Sequence, residues 1–255
     1  MSISKTAKKL LYKTLSFENY LRVLSKVYFI SYKAGWLKNN PNIQYPYFLK
    51  NVIKRGDTII DIGANLGYYT CLFAEWTGKN GKVYAVEPVE PVRNVLRRNA
   101  KKFTQVEILP YALGTENKDI ALGNDSLKSF GYVATGRHFV MDSPEATENP
   151  EITFKAQMRR GSELFGELPK IDFIKCDTEG YETIILPEIK EVIRQHTPTV
   201  LIETGGDNRK QILTLMQDLG YEPFVLKNQA LIPLQQVDTD DILFIHGTKK
   251  SGFAL

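Results

Sequence analysis

The stretch that decides the fold spans residues 56–70 and reads Gly56-Asp57-Thr58-Ile59-Ile60-Asp61-Ile62-Gly63-Ala64-Asn65-Leu66-Gly67-Tyr68-Tyr69-Thr70. Its β-branched part, residues 58–62, has the composition of a buried parallel strand. Gly63 and Gly67 predict a turn that passes close to a ligand, because glycine lacks a Cβ and accepts positive φ. Apolar spacing from Tyr68 onward predicts a helix whose free N–H groups point back at the strand end. Together these features predict a nucleotide-type pocket.

The glycine spacing discriminates between classes of nucleotide ligand. A dinucleotide fingerprint reads G-x-G-x-x-G, whereas here Asp61 precedes Gly63 and three residues separate Gly63 from Gly67. A carboxylate at this position repels a pyrophosphate and attracts the sulfonium and amino groups of S-adenosylmethionine. A plain βα turn in which Asp61 caps the helix is the structural alternative. We predict that the loop contributes these cofactor-binding residues: Asp61, Gly63, Ala64, Asn65, Gly67, Tyr69 and Thr70.

Composition is that of an ordinary globular protein, but its positive charge is concentrated at one end. The chain has 255 residues, 43% hydrophobic and 24% charged, with a net charge of +4. Residues 1–38 contain eight Lys or Arg and one acid, a net charge of +7, which leaves −3 for the remainder. A nucleic-acid surface on the body is therefore disfavoured, and attraction for anionic partners lies in the N-terminal arm.

Cysteine content and hydropathy indicate the compartment. Cys71 and Cys176 fall in a predicted helix and a predicted strand, where free cysteine behaves as a small buried hydrophobe. No disulfide framework is indicated. The apolar run 23–30 is broken by Lys26 and is too short to span a bilayer. We expect a cytoplasmic protein, with peripheral contact at the inner face of the membrane as an alternative.

The N-terminal arm is predicted to contain two helices within residues 4–34, each with apolar residues along one face. Basic residues beside such a face fit either an interfacial membrane helix or a helix that packs on the protein, and we favour packing. Residues 41–46 are predicted to be a linker, and residues 47–53 a helix. This places the arm and linker at 1–46 and the catalytic domain at 47–255.

From residue 56 strands and helices alternate, which predicts a parallel sheet with right-handed crossovers. The predicted strands are 58–62, 82–86, 106–109, 171–176 and 199–202, and the helices are 67–77, 91–100, 181–195 and 209–219. Two last strands, 221–226 and 242–246, are joined by too short a connection for a crossover helix and must be antiparallel. Strand-like runs at 119–122, 132–135 and 152–156 predict a β-rich insertion at about 115–160. The predicted fold is α/β: a Rossmann-like class I methyltransferase, with a mostly parallel sheet closed by an antiparallel C-terminal strand and helices on both faces.

Acidic residues follow the predicted strands at the edge where ligands of such sheets bind. Glu87 ends strand two and is expected to bind the ribose hydroxyls, while Asn65 offers a donor and an acceptor to the amino-acid end of the cofactor. Pro88 follows Glu87, and Ala112 lies where an adenine ring could stack. We therefore add Glu87, Pro88 and Ala112 to the predicted cofactor site.

A second motif, residues 171–182, reads Ile-Asp-Phe-Ile-Lys-Cys-Asp-Thr-Glu-Gly-Tyr-Glu. Asp177 and Glu179 leave strand four beside the cofactor loop, and Glu203 ends strand five. We predict these three acids to be catalytic, as a general base or in orienting an acceptor hydroxyl. Their oxygens could also hold a divalent cation, but no metal is predicted. Complementing a helix dipole is the alternative role for Glu179.

The motifs at residues 61–70, Val-Glu-Pro at 86–88, residues 173–182 and Leu-Ile-Glu at 201–203 resemble the FkbM family of methyltransferases in order and spacing. The resemblance runs from about residue 56 to residue 203, whereas the arm and residues 115–160 match no family. It implies transfer of a methyl group from S-adenosylmethionine to a hydroxyl, on a sugar or a polyketide-like natural product.

We expect an S-adenosylmethionine-dependent O-methyltransferase that acts by in-line displacement on a small-molecule or glycan acceptor, with Asp177 as the favoured base. His138, in the insertion, is a second candidate to reach the acceptor, whereas His196 and His246 are expected on the face away from the cofactor. Nucleic acid is not an expected partner, and residues 1–38 are a candidate contact with a membrane or a partner protein.

Two alternatives stay open at this point. The chain could be a binding or scaffold protein that retains the fold without catalysis, or a methyltransferase that acts on a lipid-linked acceptor. The oligomeric state is not predicted.

Overall fold

The computed structural model describes residues 4–38, 40, 43–141, 150–227, 229–234 and 239–253. Within these residues the main sheet is formed by β1 Thr58–Ile62, β2 Lys82–Val86, β3 Val106–Leu109, β8 Phe173–Cys176, β9 Thr199–Glu203, β10 Tyr221–Lys227, β11 Ala230–Pro233 and β12 Asp241–His246. A second sheet is formed by β4 Tyr111–Gly114, β5 Lys118–Asn124, β6 His138–Val140 and β7 Ile152–Arg160. The helices are α1 Lys5–Thr14, α2 Phe17–Lys33, α3 Tyr45–Leu49, α4 Tyr68–Thr77, α5 Glu90–Ala100, α6 Ser126–Phe130, α7 Gly161–Phe165, α8 Glu182–Glu188, α9 Lys190–His196 and α10 Asn208–Asp218, with a 3-10 helix at Gly247–Gly252.

The main sheet has the strand order β11-β10-β12-β9-β8-β1-β2-β3. Strands β1, β2, β3, β8 and β9 pair in parallel, whereas β12 runs antiparallel to both β9 and β10. This confirms the predicted class I methyltransferase fold. Because parallel strands end at the same edge, the loops that follow β1, β2, β8 and β9 lie side by side.

The core lies on both faces of the main sheet because successive side chains of a strand point to opposite sides. Ile59 belongs to the cluster that α3 and α4 cover, with Phe73 at its centre, and Ile60 to the cluster on the side of α8, α9 and α10. Cys71 and Cys176 are buried and free, as predicted.

The N-terminal helices pack on the body of the protein. Tyr20 and Leu21 of α2 are fully buried, in one cluster with Leu66 and Val92. The Tyr28 ring centroid lies 4.1 Å from that of Tyr68, at the start of α4. Packing of the arm, the favoured expectation, is therefore what the structure has. Among the described helices, none combines the length and the apolar character that a bilayer crossing requires.

Several sequence-based boundaries are wrong. The helix expected at 181–195 is divided into α8 and α9, because Pro187 has no N–H to continue the α-helical ladder. Residues 132–135 form no strand, and the strand that pairs with β5 is β6. The helix expected at 47–53 is α3, which starts two residues earlier, inside the expected linker 41–46; residues 41 and 42 lie outside the described residues. Strand β11 was not predicted.

The predicted β-rich insertion is the second sheet, with the strand order β4-β7-β5-β6. It begins at Tyr111, four residues before the predicted boundary, because β4 pairs with β7 and not with β3. Residues 142–149 lie outside the described residues.

Candidate active site

The loop after β1 joins the ends of three strands. Gly63 and Gly67 have φ values of +76° and +84°, and Asn65 also lies in the left-handed region at +51°. A Cβ at Gly63 would lie 1.8 Å from the backbone oxygen of Asp177, so only glycine fits between the loops that follow β1 and β8. The backbone N–H of Gly63 donates to the Val86 carbonyl at 3.1 Å, which ties the loop to the end of β2.

Glu87, directly after β2, is oriented by the loop. Its Oε2 accepts a hydrogen bond from the Asn65 N–H and its Oε1 accepts one from the Val89 N–H, both at 2.9 Å. The residue is 6% exposed, and burial raises its pKa to about 7 although both hydrogen bonds act in the opposite direction. Each carboxylate oxygen keeps a lone pair for a further donor, which is the requirement for binding vicinal hydroxyls.

Asp61 lies beneath the loop rather than in the wall of the pocket. It is fully buried, and its Oδ2 accepts a hydrogen bond from Thr70 Oγ1 at 2.6 Å. Burial raises its pKa, and the charge of Lys175 opposes that shift. Asp61 therefore orients the start of α4 through Thr70.

Lys175, in β8, is the buried cation of the site. Its Nζ lies 2.7 Å from Asp177 Oδ2 and 4.9 Å from the ring centroid of Tyr69. Although burial opposes it, the charges of Asp177 and Asp61 raise the pKa of Lys175. A lysine between Ile174 and Cys176 of a buried strand was the signal in the sequence, since a buried charge requires partners.

Three carboxylates meet at the ends of β8 and β9. Oxygens of Asp177, Glu179 and Glu203 lie within 4.8 Å of one another. The hydrogen bond to Asp177, together with burial, raises the pKa of Glu203 to about 10. Although burial opposes it, Lys175 and the hydrogen bond with Glu203 lower the pKa of Asp177. At neutral pH this pair therefore shares one proton that resides on Glu203, while Asp177 is ionised. Oxygen ligands at such separations also suit a divalent cation, although we do not predict that the site holds a metal.

Glu179 differs from its two neighbours. It has a φ of +58°, so its side chain leaves the turn after β8 in an unusual direction, toward the mouth of the pocket. Its residue surface reaches solvent, yet partial burial of the carboxyl and the charge of Asp177 raise its pKa to about 7. Of the three acids, Glu179 is the one whose pKa matches a neutral working pH.

One pocket connects these groups. Eight of the predicted site residues line it: Gly63, Asn65, Glu87, Pro88, Ala112, Asp177, Glu179 and Glu203. The other five lie behind its wall: Asp61, Ala64, Gly67, Tyr69 and Thr70. The structure thus brings the predicted cofactor acid Glu87 and the predicted catalytic acids to one cavity.

The second sheet supplies the opposite wall, which sequence reasoning left undefined. His138 lines the pocket from β6, and its Nδ1 lies 2.8 Å from the Thr135 carbonyl, so Nδ1 carries the hydrogen. Its Nε2 is buried and has no partner among the described residues. Burial lowers the pKa of His138 to about 4, so the ring is neutral and offers an acceptor to the pocket. His196 and His246 are not part of this wall, as expected.

The residues present fit S-adenosylmethionine. Glu87 has free lone pairs for ribose hydroxyls, and Gly63 and Asn65 line the same pocket. Asn65 Oδ1 is buried without a partner in the described part of the chain, as expected of an acceptor that awaits an ammonium group.

The family model of the methyltransferase FkbM domain matches residues 61–223. Hexuronic acid methyltransferase AglP of Haloferax volcanii is 26% identical over 165 residues, which are 64% of this chain and 62% of that protein. A protein-L-isoaspartate O-methyltransferase of Methanosarcina mazei is 32% identical over 85 residues, 33% of this chain and 31% of that protein. The chain therefore aligns with less than two thirds of the length of these relatives. The crystal structure of an FkbM methyltransferase from Methylobacillus flagellatus superposes with a TM-score of 0.51 at 15% identity, covering 94% of this chain and 58% of the other.

Proposed function

Because this chain belongs to the FkbM family of methyltransferases, we propose that it is an S-adenosylmethionine-dependent O-methyltransferase whose acceptor is a hydroxyl of a sugar. The observation that carries the proposal is one pocket with two chemically different ends. At one end Glu87 is prepared for a diol, and at the other Glu179 has a pKa near neutrality.

The cofactor end is formed by the loop after β1 and by Glu87. The Glu87 carboxylate binds the ribose hydroxyls, and Asn65 Oδ1 accepts from the amino group. When bound, S-adenosylmethionine supplies a methyl group on a positively charged sulfur, and transfer of that methyl group leaves a neutral thioether.

The acceptor end is formed by Glu179 and the wall of the second sheet. A hydroxyl becomes a better nucleophile as its proton leaves, and the Glu179 carboxylate receives that proton. Asp177 is a weaker choice than the sequence suggested, because Lys175 holds it in its ionised form with a lowered pKa. His138 Nε2 accepts a hydrogen bond from a second acceptor hydroxyl and fixes the sugar in place. Positioning of this kind can contribute about 7–11 kcal/mol to catalysis.

A sugar is favoured over other acceptors by one of the relatives. AglP is named for its action on a hexuronic acid, and it aligns with 64% of this chain. A uronic acid offers both hydroxyl and carboxylate oxygens, and only the hydroxyl requires a base. The near-neutral pKa of Glu179 therefore favours a methyl ether over a methyl ester as the product.

The experiment compares glycans of cells with and without the protein by mass spectrometry, for a gain of one methylene mass. Alkaline saponification then removes a methyl ester and leaves a methyl ether. We expect the gain to survive saponification, and its absence from all glycans would refute the proposed acceptor.

The variant that tests the mechanism is Glu179→Gln. We expect it to lose at least about a hundredfold in turnover, as general-base catalysis contributes about 10²–10⁴-fold, with S-adenosylmethionine affinity unchanged. Glu167→Gln, at an exposed acid outside the pocket, is the matched control. Equal turnover of the two variants would remove Glu179 from the mechanism, and absence of cofactor binding in the native chain would favour a scaffold protein.

A further inference from the structure

Basic residues of α1 and of the loop before β6 surround two aromatic rings of the second sheet region. Lys5 Nζ lies 5.8 Å from the ring centroid of Phe130, and the Arg137 guanidinium lies 5.0 Å from the same centroid. Lys8 Nζ lies 5.6 Å from the centroid of the Tyr132 ring. We name this group, together with its neighbour on the helix, the α1 cation face: Lys5, Lys8, Lys9 and Arg137.

Lys9 completes the face from the next position on the helix. A Cβ at Gly131 would lie 2.9 Å from Lys9 Cε, so the lysine stem covers the chain between the two rings. Phe130 and Tyr132 stack with their centroids 5.6 Å apart. Three of the four cations therefore contact these two rings, and the stem of Lys9 lies at Gly131 between them.

The α1 cation face forms no ion pair with the acids that the structure describes, although the charge of Arg137 partly offsets the raised pKa of Glu179. Elsewhere on the surface cations pair with acids, as Arg22 does with Glu18. No ion pair among the described residues includes a member of the α1 cation face. Burial lowers the pKa of Lys8, as expected of an ammonium that lacks an acidic partner. Ring faces hold these side chains and leave their N–H donors free.

The described acids on the same side are engaged with backbone groups. Asp125 Oδ1 accepts a hydrogen bond from the Glu151 N–H at 3.2 Å. Glu151 Oε2 in turn accepts one from the Lys128 N–H at 2.7 Å. These two carboxylates stabilise the base of α6 through backbone N–H groups.

The α1 cation face is continuous with the acceptor end of the active site. A side cleft is lined by Arg137, Ser129 and Asp125, and shares His138, Phe139 and Glu179 with the catalytic pocket. Arg137 thus lies in the cleft wall and also against Phe130, where Lys5 lies. A chain-like ligand with one end at Glu179 would pass Arg137 and then reach α1.

We propose that the side cleft and the α1 cation face form a binding site for carboxylate-bearing sugar units that neighbour the methylated unit of an acidic oligosaccharide. This inference rests on the proposed function as a sugar O-methyltransferase and names its substrate class. The Arg137 guanidinium binds a carboxylate in bidentate geometry, whereas the lysines act as point charges for the following units. A lipid surface fits less well, because these cations are held against the protein's own rings beside the cleft.

The test uses oligogalacturonate as the acidic probe and its fully methyl-esterified form as the neutral match. We expect calorimetry to detect binding of the acidic probe that weakens as salt is raised, and at least about tenfold weaker binding of the neutral probe. Equal affinity for both probes would overturn the proposal.

Variants identify the surface. Lys5→Gln with Lys9→Gln, and separately Arg137→Gln, are expected to lower affinity for the acidic probe by about two- to fivefold for each cation removed, the range for an exposed ion pair. Lys26→Gln with Lys33→Gln makes the same charge change at exposed positions of α2 and is expected to change nothing. An equal loss in the control would show only non-specific charge attraction and would overturn the site. S-adenosylmethionine affinity serves as the check on folding in every variant.

Co-sedimentation with vesicles of anionic phospholipid decides between the two anionic partners. Vesicle binding that depends on Lys5 and Lys9, without binding of the acidic probe, would replace the saccharide by a membrane. The binding assays involve no methyl transfer, so the two proposals can fail separately. A chain that binds the acidic probe but methylates no sugar would refute the proposed function alone. A chain that methylates a sugar but binds the acidic and the neutral probe with equal affinity would refute this inference alone.

Discussion

Replacing Lys175 by Met removes the counter-charge of two buried carboxylates with little change in side-chain volume. Lys175 is 3% exposed, and its Nζ lies 2.7 Å from Asp177 Oδ2, while Asp61 beside it is fully buried. Breaking a buried ion pair from one side costs about 3–5 kcal/mol because it leaves an uncompensated charge. The side chain of Asp177 is 32% exposed, so we expect the lower part of that range, about 3 kcal/mol of unfolding free energy at pH 7.

The second β-strand supplies a matched control. Lys82 Nζ lies 2.8 Å from Glu107 Oε2, almost the same distance, but the two side chains are 38% and 48% exposed. Because solvent screens exposed pairs, Lys82→Met is expected to cost less than about 1 kcal/mol. Urea unfolding of both variants and of the native chain at pH 7 measures the difference. Equal costs would refute the conclusion that burial sets the strength of the Lys175 pair.

The cost of Lys175→Met should also depend on pH. The lowered pKa of Asp177 in the native chain contributes stability above its unfolded-state pKa, and this is lost as pH falls through the folded value. In the variant the carboxylates lose their cation, their pKa values rise, and they are protonated at a higher pH. The cost is therefore expected to shrink by about 1 kcal/mol or more between pH 7 and pH 5. A cost that does not change with pH would contradict the assigned charges.

Three further predictions concern the pocket itself. Glu87→Gln is expected to weaken S-adenosylmethionine binding at least about tenfold, because both oxygens accept backbone N–H groups and an amide NH₂ would have to face one of them. In the native chain the affinity for S-adenosylmethionine is expected to fall about tenfold per pH unit below pH 7. The reason is that hydroxyls bind the ionised form of Glu87, and burial raises the pKa of Glu87 to about 7. Calorimetry should show that Glu87→Gln removes this pH dependence. Gly63→Ala is expected to abolish cofactor binding because its Cβ would lie 1.8 Å from the Asp177 carbonyl oxygen. The control is Gly56→Ala, at a position with a φ of +85° and open space around it. This control should lower the unfolding free energy in urea by only about 1–2 kcal/mol and leave cofactor binding unchanged. His138→Phe is expected to raise KM for the sugar with cofactor affinity unchanged, and an unchanged KM would exclude His138 from acceptor binding.

Local sequence patterns were sufficient to predict most strands of the main sheet. The bounds of β1, β2 and β3 are those predicted. A short β-branched run between a glycine turn and a segment of helical periodicity indicates a buried strand. Strand-end acids such as Glu87 and Asp177 could be placed in one pocket for the same reason: parallel strands that follow one another through helices end at the same edge.

The misses fall where pairing is not local. Strand β6 is three residues long and is defined by its pairing with β5, which the sequence around it does not specify. The strand at 132–135 was predicted from the apolar residues Tyr132 and Val133, which are buried in an irregular segment. The break between α8 and α9 could have been found, since Pro187 stands inside the predicted helix.

The sequence by itself determined the family, the fold and the edge of the sheet at which the acids gather, because glycine spacing, strand periodicity and the alternation of strands with helices are local patterns of the chain. Only the tertiary structure decided the protonation state of each acid. Lys175 meets Asp177, Glu203 takes the shared proton, and Glu179 is left with a pKa of about 7, all through burial and distances between separate strands. It also decided where the basic arm lies, since the contact of Lys5 with Phe130 joins residues far apart in the chain. Desolvation and Coulomb energy depend on the three-dimensional surroundings of a charge, and no local pattern encodes them.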